Sequence, residues 1–149
     1  MDGDALSKLY FAYGSNMSPG QMAERCPGAR MVSTGVLAGY RVAFTRYSQR
    51  WDGYVADVVR AEGDEAHGVL WAVSEAHLTA LDVFEGVAAG GYRREDVMVR
   101  TPDGVMHAAV AYVVVEPGAE GEPSGAYREV ITAAARLHGL PTPWERDRT

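Results

Sequence analysis

The sequence predicts an α+β fold with a mixed, mostly antiparallel sheet. Three observations predict it: many apolar segments have the length of strands, residues 101–104 spell TPDG as in a hairpin turn, and two segments combine helical periodicity with capping residues. The 149 residues suit one domain with its own hydrophobic core. We therefore place a single domain over residues 1–149, with its core at about residues 9–144.

The first element is the segment LYFAYGSNM at residues 9–17. Its apolar and aromatic part, through Tyr13, suits a buried strand, and Gly14, Ser15 and Asn16 suit a tight turn. Backbone N–H groups in such a small-residue loop form a cradle for a carboxylate or a developing oxyanion. A plain turn between a strand and a helix explains the same residues, so both interpretations stay open here.

Periodicity and turn residues predict the other elements in order. A helix at Pro19–Arg25 is followed by strands at 30–37 and 40–44, a polar surface loop at 45–53, a strand at 54–59, a turn at 60–65 and a strand at 67–73. A helix capped by Ser74 then runs to about residue 84, followed by strands at 92–100 and 105–115, a loop at 116–125 and a helix at 126–138. We expect the charged tail after residue 144 to be mobile.

Composition argues against several classes of partner. Acidic residues outnumber basic ones 20 to 14, and the net charge of −6 disfavours a nucleic-acid groove or an anionic membrane surface. No signal peptide and no apolar run of about 20 residues is visible, and a single cysteine, Cys26, cannot form an internal disulfide. These features predict a cytoplasmic protein. The oligomeric state cannot be inferred from the sequence, and a homodimer stays open.

The sequence also predicts neither a metal nor a cofactor. Its four histidines show no metal-ligand spacing, and no cluster of Cys or acidic residues accompanies them. The glycine patterns of nucleotide-binding loops are absent from the chain, as is the G-x-S-x-G nucleophile motif.

Glu85 is the candidate general base. It follows Leu78, Leu81 and Phe84 on the apolar stripe of the helix after Ser74, so its carboxylate faces the interior or a cleft. It also lies at the helix C-terminus, where the macrodipole disfavours negative charge. Both effects raise a carboxylate pKa toward the range that suits a base near neutral pH. The alternative is a solvated glutamate at an ordinary helix end.

Three tyrosines are candidates for the walls of a site. Tyr127 shares one face of the last helix with Ile131 and Ala134, so it points inward. It is either a core tyrosine with one hydrogen bond or a residue that contacts a ligand. Tyr92 and Tyr112 lie in predicted strands, which suits wall residues of a cavity better than reagents.

The YGSN loop after the first strand resembles the signature of the γ-glutamylcyclotransferase-like (AIG2-like) family. Three later stretches resemble the same family in the same order: GDE at 63–65 with GVLW at 68–71, LD at 81–82 with EGV at 85–87 and Tyr92, and PS at 123–124 with Tyr127 and GLP at 139–141. Together these stretches span most of residues 9–144.

The resemblance implies a small barrel flanked by helices, with a site at one mouth. It implies cleavage of a γ-glutamyl amide by its own α-amine, which releases 5-oxoproline and an amine or amino acid without a cofactor. Glu85 matches the catalytic acid/base of the family. The expected substrate-binding residues are Tyr13, Gly14, Ser15, Asn16, Tyr92, Tyr112 and Tyr127.

Two alternatives remain at this stage, a non-catalytic small-molecule-binding module and a hydrolase that releases glutamate. The segment at residues 54–57 and the loop at 46–53, with its Trp51, depart from the animal pattern of the family. Because loops at a site mouth select the leaving group, the amine half of the substrate stays open. Glutathione turnover and secondary metabolism are both compatible with the sequence.

Overall fold

Five strands close into a barrel in the order β1-β3-β2-β4-β5, in a computed structural model that describes residues 5–144. The strands are β1 (Lys8–Ala12), β2 (Arg30–Ser48), β3 (Gly53–Val73), β4 (Tyr92–Arg100) and β5 (Met106–Val114). The helices are α1 (Pro19–Arg25), α2 (Glu75–Phe84) and α3 (Gly125–His138), with a single 3₁₀ turn at Ser15–Met17. The tail after residue 144 lies outside the described residues.

The sheet is mixed and mostly antiparallel, as predicted. Four of its five strand pairs are antiparallel, and β1 meets β5 in parallel at Tyr10 and Val110. The predicted α+β class and the small barrel with flanking helices are therefore confirmed. Local capping supports the helices: the hydroxyl of Ser74 accepts the His77 N–H at 3.1 Å, and Gly139 ends α3 in the left-handed region at φ 71°.

The predicted surface loop at 45–53, the turn at 60–65 and the split of 30–44 into two strands are wrong. β2 and β3 are continuous strands of 19 and 21 residues, which form one long hairpin. Their register shifts between Ala38 and Tyr40, and Gly39 and Gly63 adopt positive φ values of 83° and 84°. These glycines therefore bend the hairpin at a bulge, where the sequence suggested strand ends.

Beyond the bulge, the two strands of this hairpin pair almost to its tip. Tyr47 lies opposite Tyr54, and Ser48 lies opposite Gly53, so only residues 49–52 form the connection. The polar side chains that suggested a loop belong to the exposed face of the arm, while Thr45 is buried. We call residues 45–56 the hairpin arm, and it forms one wall of the site described below.

The core fills the barrel and the space beneath the helices. Its fully buried side chains include Phe11, Leu70, Val99 and Ile131. Gly68 is required at its place, because a Cβ there would lie 2.4 Å from the Ala12 carbonyl oxygen. The part of the chain that the structure describes contains no helix long and apolar enough to cross a membrane.

Candidate active site

Two connected cavities open at one mouth of the barrel. We call them the inner cavity, of about 40 Å³, and the outer cavity, of about 420 Å³. They share four lining residues, which are Ser15, Glu85, Tyr92 and Tyr127. The predicted site residues Tyr13, Gly14, Asn16 and Tyr112 line the inner cavity, so the structure brings all eight predicted residues to one place.

The loop after β1 is held by hydrogen bonds from several elements to Asn16. The Asn16 Oδ1 accepts from Gln21 Nε2 at 2.9 Å and from Arg25 Nη1 at 3.2 Å. Its Nδ2 donates to the Tyr10 hydroxyl at 2.9 Å, and its carbonyl oxygen accepts from Trp71 Nε1 at 3.0 Å. Asn16 is only 5% exposed, and these hydrogen bonds use its side chain to order the loop.

Gly14 occupies a position with little room for a side chain. A Cβ there would lie 3.0 Å from the Tyr127 hydroxyl and 3.3 Å from the Ala56 Cβ. Its backbone has φ −119° and ψ −137°, so the spatial constraint rather than a positive φ favours glycine. The close approach keeps the loop backbone directly against the inner cavity.

Glu85 lies at the C-terminal cap of α2, and its side chain is 17% exposed. Its N–H donates to the Leu81 carbonyl at 2.8 Å, which keeps it in the last helical turn. Burial raises the pKa of the Glu85 carboxyl to about 7, although Arg25, Arg46 and Arg50 favour its charged form. A carboxyl with this pKa exchanges its proton readily near neutral pH.

Phe84 does not continue the buried stripe of α2, contrary to the prediction. It is 44% exposed, while Leu78 and Leu81 are buried. Its ring lies beneath two guanidinium groups, with the Cζ of Arg25 at 4.7 Å and that of Arg50 at 5.8 Å from the ring centroid. α2 continues to Phe84, which borders the outer cavity, and Glu85 caps the helix with its side chain only 17% exposed.

Arg25 is a site residue that the sequence analysis missed. Its Nη1 lies 3.8 Å from the Glu85 Oε2, and its side chain is 7% exposed. Burial lowers the pKa of Arg25, while the Glu85 carboxylate opposes this change. In the sequence Arg25 is an unremarkable basic residue in the last turn of a short helix. Only the packing of α1 beside the end of α2 brings it to the carboxylate.

Tyr92 and Tyr127 meet the same residue of the hairpin arm. The Tyr127 hydroxyl accepts the Ala56 N–H at 3.0 Å, and the Tyr92 hydroxyl donates to the Ala56 carbonyl at 2.7 Å. Burial raises the pKa of both tyrosines well above the ordinary value, so they stay protonated. Because Tyr127 accepts from Ala56, its own proton is free to be donated into the cavity.

The hydroxyls of Tyr13 and Tyr112 are occupied by protein partners. Tyr13 donates to the Tyr112 carbonyl, and the Tyr112 hydroxyl donates to the Asp82 Oδ1 at 2.6 Å. The Asp82 carboxylate also pairs with Arg94, which lowers its pKa. These bonds tie the last turn of α2 to β4 and β5, and the two tyrosine rings form the floor of the inner cavity.

The site offers carboxylate, amide and phenol chemistry. Over residues 5–144, no three His, Cys, Asp or Glu side chains are grouped so that they could hold a metal ion. Cys26 is buried, and burial raises the pKa of its thiol to about 11, which makes it a poor nucleophile.

Comparison with known proteins supports the family resemblance. The sequence profile of the AIG2-like family matches residues 65–146. The chain is 32% identical over 146 residues to the γ-glutamylcyclotransferase of Homo sapiens, which is 95% of this chain and 77% of that protein. It is 33% identical over 147 residues to that of Bos taurus, which is 96% of this chain and 78% of that protein.

Solved structures show the same likeness. A γ-glutamyl cyclotransferase structure superposes with a TM-score of 0.85 at 32% identity, over 90% of this chain and 81% of that chain. The Bacillus subtilis protein YkqA superposes with a TM-score of 0.79 at 28% identity, over 95% of this chain and 53% of that chain. The chain therefore belongs to the AIG2-like family, as a relative of the γ-glutamylcyclotransferases.

Proposed function

We propose that the chain is a γ-glutamylcyclotransferase that converts a γ-glutamyl amide into 5-oxoproline and a free amine or amino acid. The observation that carries the proposal is the Glu85 carboxyl, which lies in the cavity with a pKa of about 7. The relatives named γ-glutamylcyclotransferase, which match most of the chain, support the same activity.

The reaction joins two groups of one molecule. The α-amine of the glutamyl half attacks its γ-carbonyl carbon, a C–N bond forms, and the C–N bond to the leaving amine breaks. Because the two groups are already tethered, a site that holds the folded-back conformer supplies much of the rate acceleration. Because the reaction needs mainly positioning, it suits a small cavity lined by Glu85 and buried tyrosines.

Glu85 handles the proton in both steps. As a carboxylate it accepts a proton from the α-ammonium, which makes the amine nucleophilic, and it gives this proton to the departing amine. The second proton that the attacking nitrogen loses on forming the lactam then passes through the restored carboxylate to solvent. Its neighbour Arg25 is 3.8 Å away and favours the carboxylate form, so Arg25 keeps part of the Glu85 population ready to act as a base.

The oxyanion of the tetrahedral intermediate needs hydrogen-bond donors. We assign this role to the backbone N–H groups of the loop at Gly14–Asn16 and to the proton of the Tyr127 hydroxyl. The support is geometric. Gly14 brings the loop backbone close to Tyr127, and the Tyr127 hydroxyl oxygen accepts the Ala56 N–H, which leaves the hydroxyl proton available for donation.

Cellular context is part of the proposal. A free, buried cysteine, Cys26, and a net charge of −6 fit a protein that acts on small molecules in a reducing cytoplasm. Peptides of the glutathione type are candidate substrates, because they carry the required γ-glutamyl bond.

A product assay tests the function. Purified protein is incubated with γ-glutamyl amino acids, glutathione and γ-glutamyl amines, and 5-oxoproline and glutamate are followed by mass spectrometry. We expect 5-oxoproline from the protein and none above background from Glu85→Gln. Glutamate without 5-oxoproline would instead establish hydrolysis. Binding of these compounds without turnover would establish a non-catalytic module.

A further inference from the structure

The outer cavity carries a concentration of positive charge in an acidic protein. Arg25, Arg46 and Arg50 line it, and Glu85 is the only acidic residue among its described lining residues. The whole chain has a net charge of −6, so this local excess is opposite in sign to the rest of the molecule. Such a cavity attracts an anionic ligand and repels a cationic one.

Among the residues that the structure describes, two of these guanidinium groups form no ion pair with a carboxylate. Arg25 is paired with Glu85 and Asn16, but within residues 5–144 neither Arg46 nor Arg50 lies in an ion pair with an acidic side chain. Arg46 rests over the Tyr92 ring at 5.9 Å, and Arg50 rests over the Phe84 ring at 5.8 Å. Both are positioned by aromatic contacts, with their N–H donors available.

The position of Arg46 and Arg50 relative to Glu85 indicates which half of a substrate they meet. Glu85 borders both cavities, whereas the two arginines border only the outer one. Because Glu85 must reach both the attacking and the departing nitrogen, the γ-carbonyl lies where the two cavities meet, with the glutamyl half directed toward the inner cavity and the Gly14 loop. The departing amine then extends into the outer cavity, which has about 420 Å³ to receive it.

We propose that the outer cavity is the subsite for the amine half, and that Arg46 and Arg50 select an acidic amine half with two negative charges. The preferred substrates would be γ-glutamyl derivatives of an acidic amino acid or acidic peptide. Each unpaired guanidinium would receive one carboxylate. This inference rests on the proposed cyclotransferase function and adds its substrate class.

A matched substrate series tests the inference. γ-Glutamyl-glutamate, γ-glutamyl-glutamine and γ-glutamyl-glutamine amide have nearly the same shape, and their amine halves carry two, one and no negative charges. We expect kcat/KM for 5-oxoproline formation to fall by about fivefold with each charge removed, as for a pair of exposed ionic groups. The decline should become shallower at high salt.

Charge-removing variants locate the effect. In Arg46→Gln and in Arg50→Gln, we expect the ratio of kcat/KM between the dianionic and the neutral substrate to fall about fivefold. Arg60→Gln removes the same charge from an exposed arginine outside the cavity and should leave the ratio unchanged. An unchanged ratio, with any loss equal on all three substrates, would overturn the inference, because the arginines would then act only on the shared glutamyl half or on Glu85.

The two proposals fail in different ways. Turnover of all three substrates with a flat or reversed order would overturn the substrate class and leave the cyclotransferase function standing. Absence of 5-oxoproline from every γ-glutamyl compound would overturn the function and the inference together.

Discussion

Replacing Glu85 with glutamine should make the protein more stable while it removes activity. Burial raises the pKa of the Glu85 carboxyl from 4.5 to about 7, so the folded state favours the neutral form. As pH rises from 4.5 to 7, the unfolded chain releases this proton before the folded chain does. The folded protein therefore loses stability over this interval, and the neutral side chain of Glu85→Gln does not.

The size of the effect follows from the two pKa values. Each pKa unit corresponds to about 1.4 kcal/mol, so the 4.5-to-7 shift amounts to about 3 kcal/mol in total. We expect the difference in the free energy of unfolding, Glu85→Gln minus the original protein, to increase by about 2 kcal/mol between pH 5.5 and 7. Above pH 7.5 the two curves should run parallel. The attraction of Arg25 is already contained in the pKa of about 7, and at low pH the neutral Glu85 carboxyl leaves Arg25 as unpaired as glutamine does, so its loss adds no separate contribution.

Urea unfolding at intervals from pH 5.5 to 8.5 measures this difference. The whole pH range lies above the sequence pI of about 5.1. Glu129→Gln is the matched control, since Glu129 is exposed on α3 and lines neither the inner nor the outer cavity. Turnover should fall about 100- to 10,000-fold in Glu85→Gln only. Parallel stability curves over the whole range would refute the raised pKa, and with it the reason for assigning Glu85 as the base.

Three further predictions follow from the same geometry. In the unmodified protein, kcat/KM should rise with pH through about 7, since Glu85 must be ionised, and Arg25→Met should move this midpoint upward because a group that favours the carboxylate is lost. An unchanged midpoint would argue against the pairing. Gly14→Ala should lower kcat by at least about tenfold with a modest loss of stability, since its Cβ would lie 3.0 Å from the Tyr127 hydroxyl. Gly68→Ala should lower the free energy of unfolding by about 1–3 kcal/mol, because its Cβ would lie 2.4 Å from a backbone oxygen; a stability equal to the original would contradict that contact.

Local signals in the sequence predicted the three helices and the Gly14–Asn16 loop after β1. The N-cap of α2 depends on a neighbour three residues away, so Ser74 could be assigned without the fold, and Gly139 marked the end of α3 in the same local way. The position of Glu85 beside buried Leu81 followed from helical periodicity in the same way. These features involve only contacts that a few consecutive residues make with one another.

Features that depend on distant pairing were not predicted. Gly39 and Gly63 look like strand ends, and only the continued pairing of β2 with β3 shows that they bend one hairpin. Arg25 reaches Glu85 across 60 positions of sequence, and no local pattern indicates that contact. The exposure of Phe84 has the same origin, because its neighbours Arg25 and Arg50 come from distant parts of the chain.

The hairpin arm behaves as a wall because a buried carboxylate fastens it to the barrel. Asp57 is 2% exposed, and it accepts hydrogen bonds from the Val114 N–H and the Thr45 hydroxyl, both at 3.0 Å. It follows Ala56, whose N–H and carbonyl hold the hydroxyls of Tyr127 and Tyr92. The base of the arm is thus fixed to β5 and to the two tyrosines of the candidate site. Its tip also contacts two helices, because the Trp51 ring lies 4.9 Å from the Tyr127 ring and Arg50 lies over the Phe84 ring. We therefore expect a change at Arg50 to alter the proposed amine-half subsite while Asp57 keeps Ala56 and its two tyrosine partners in place, whereas a change at Trp51 should also disturb Tyr127.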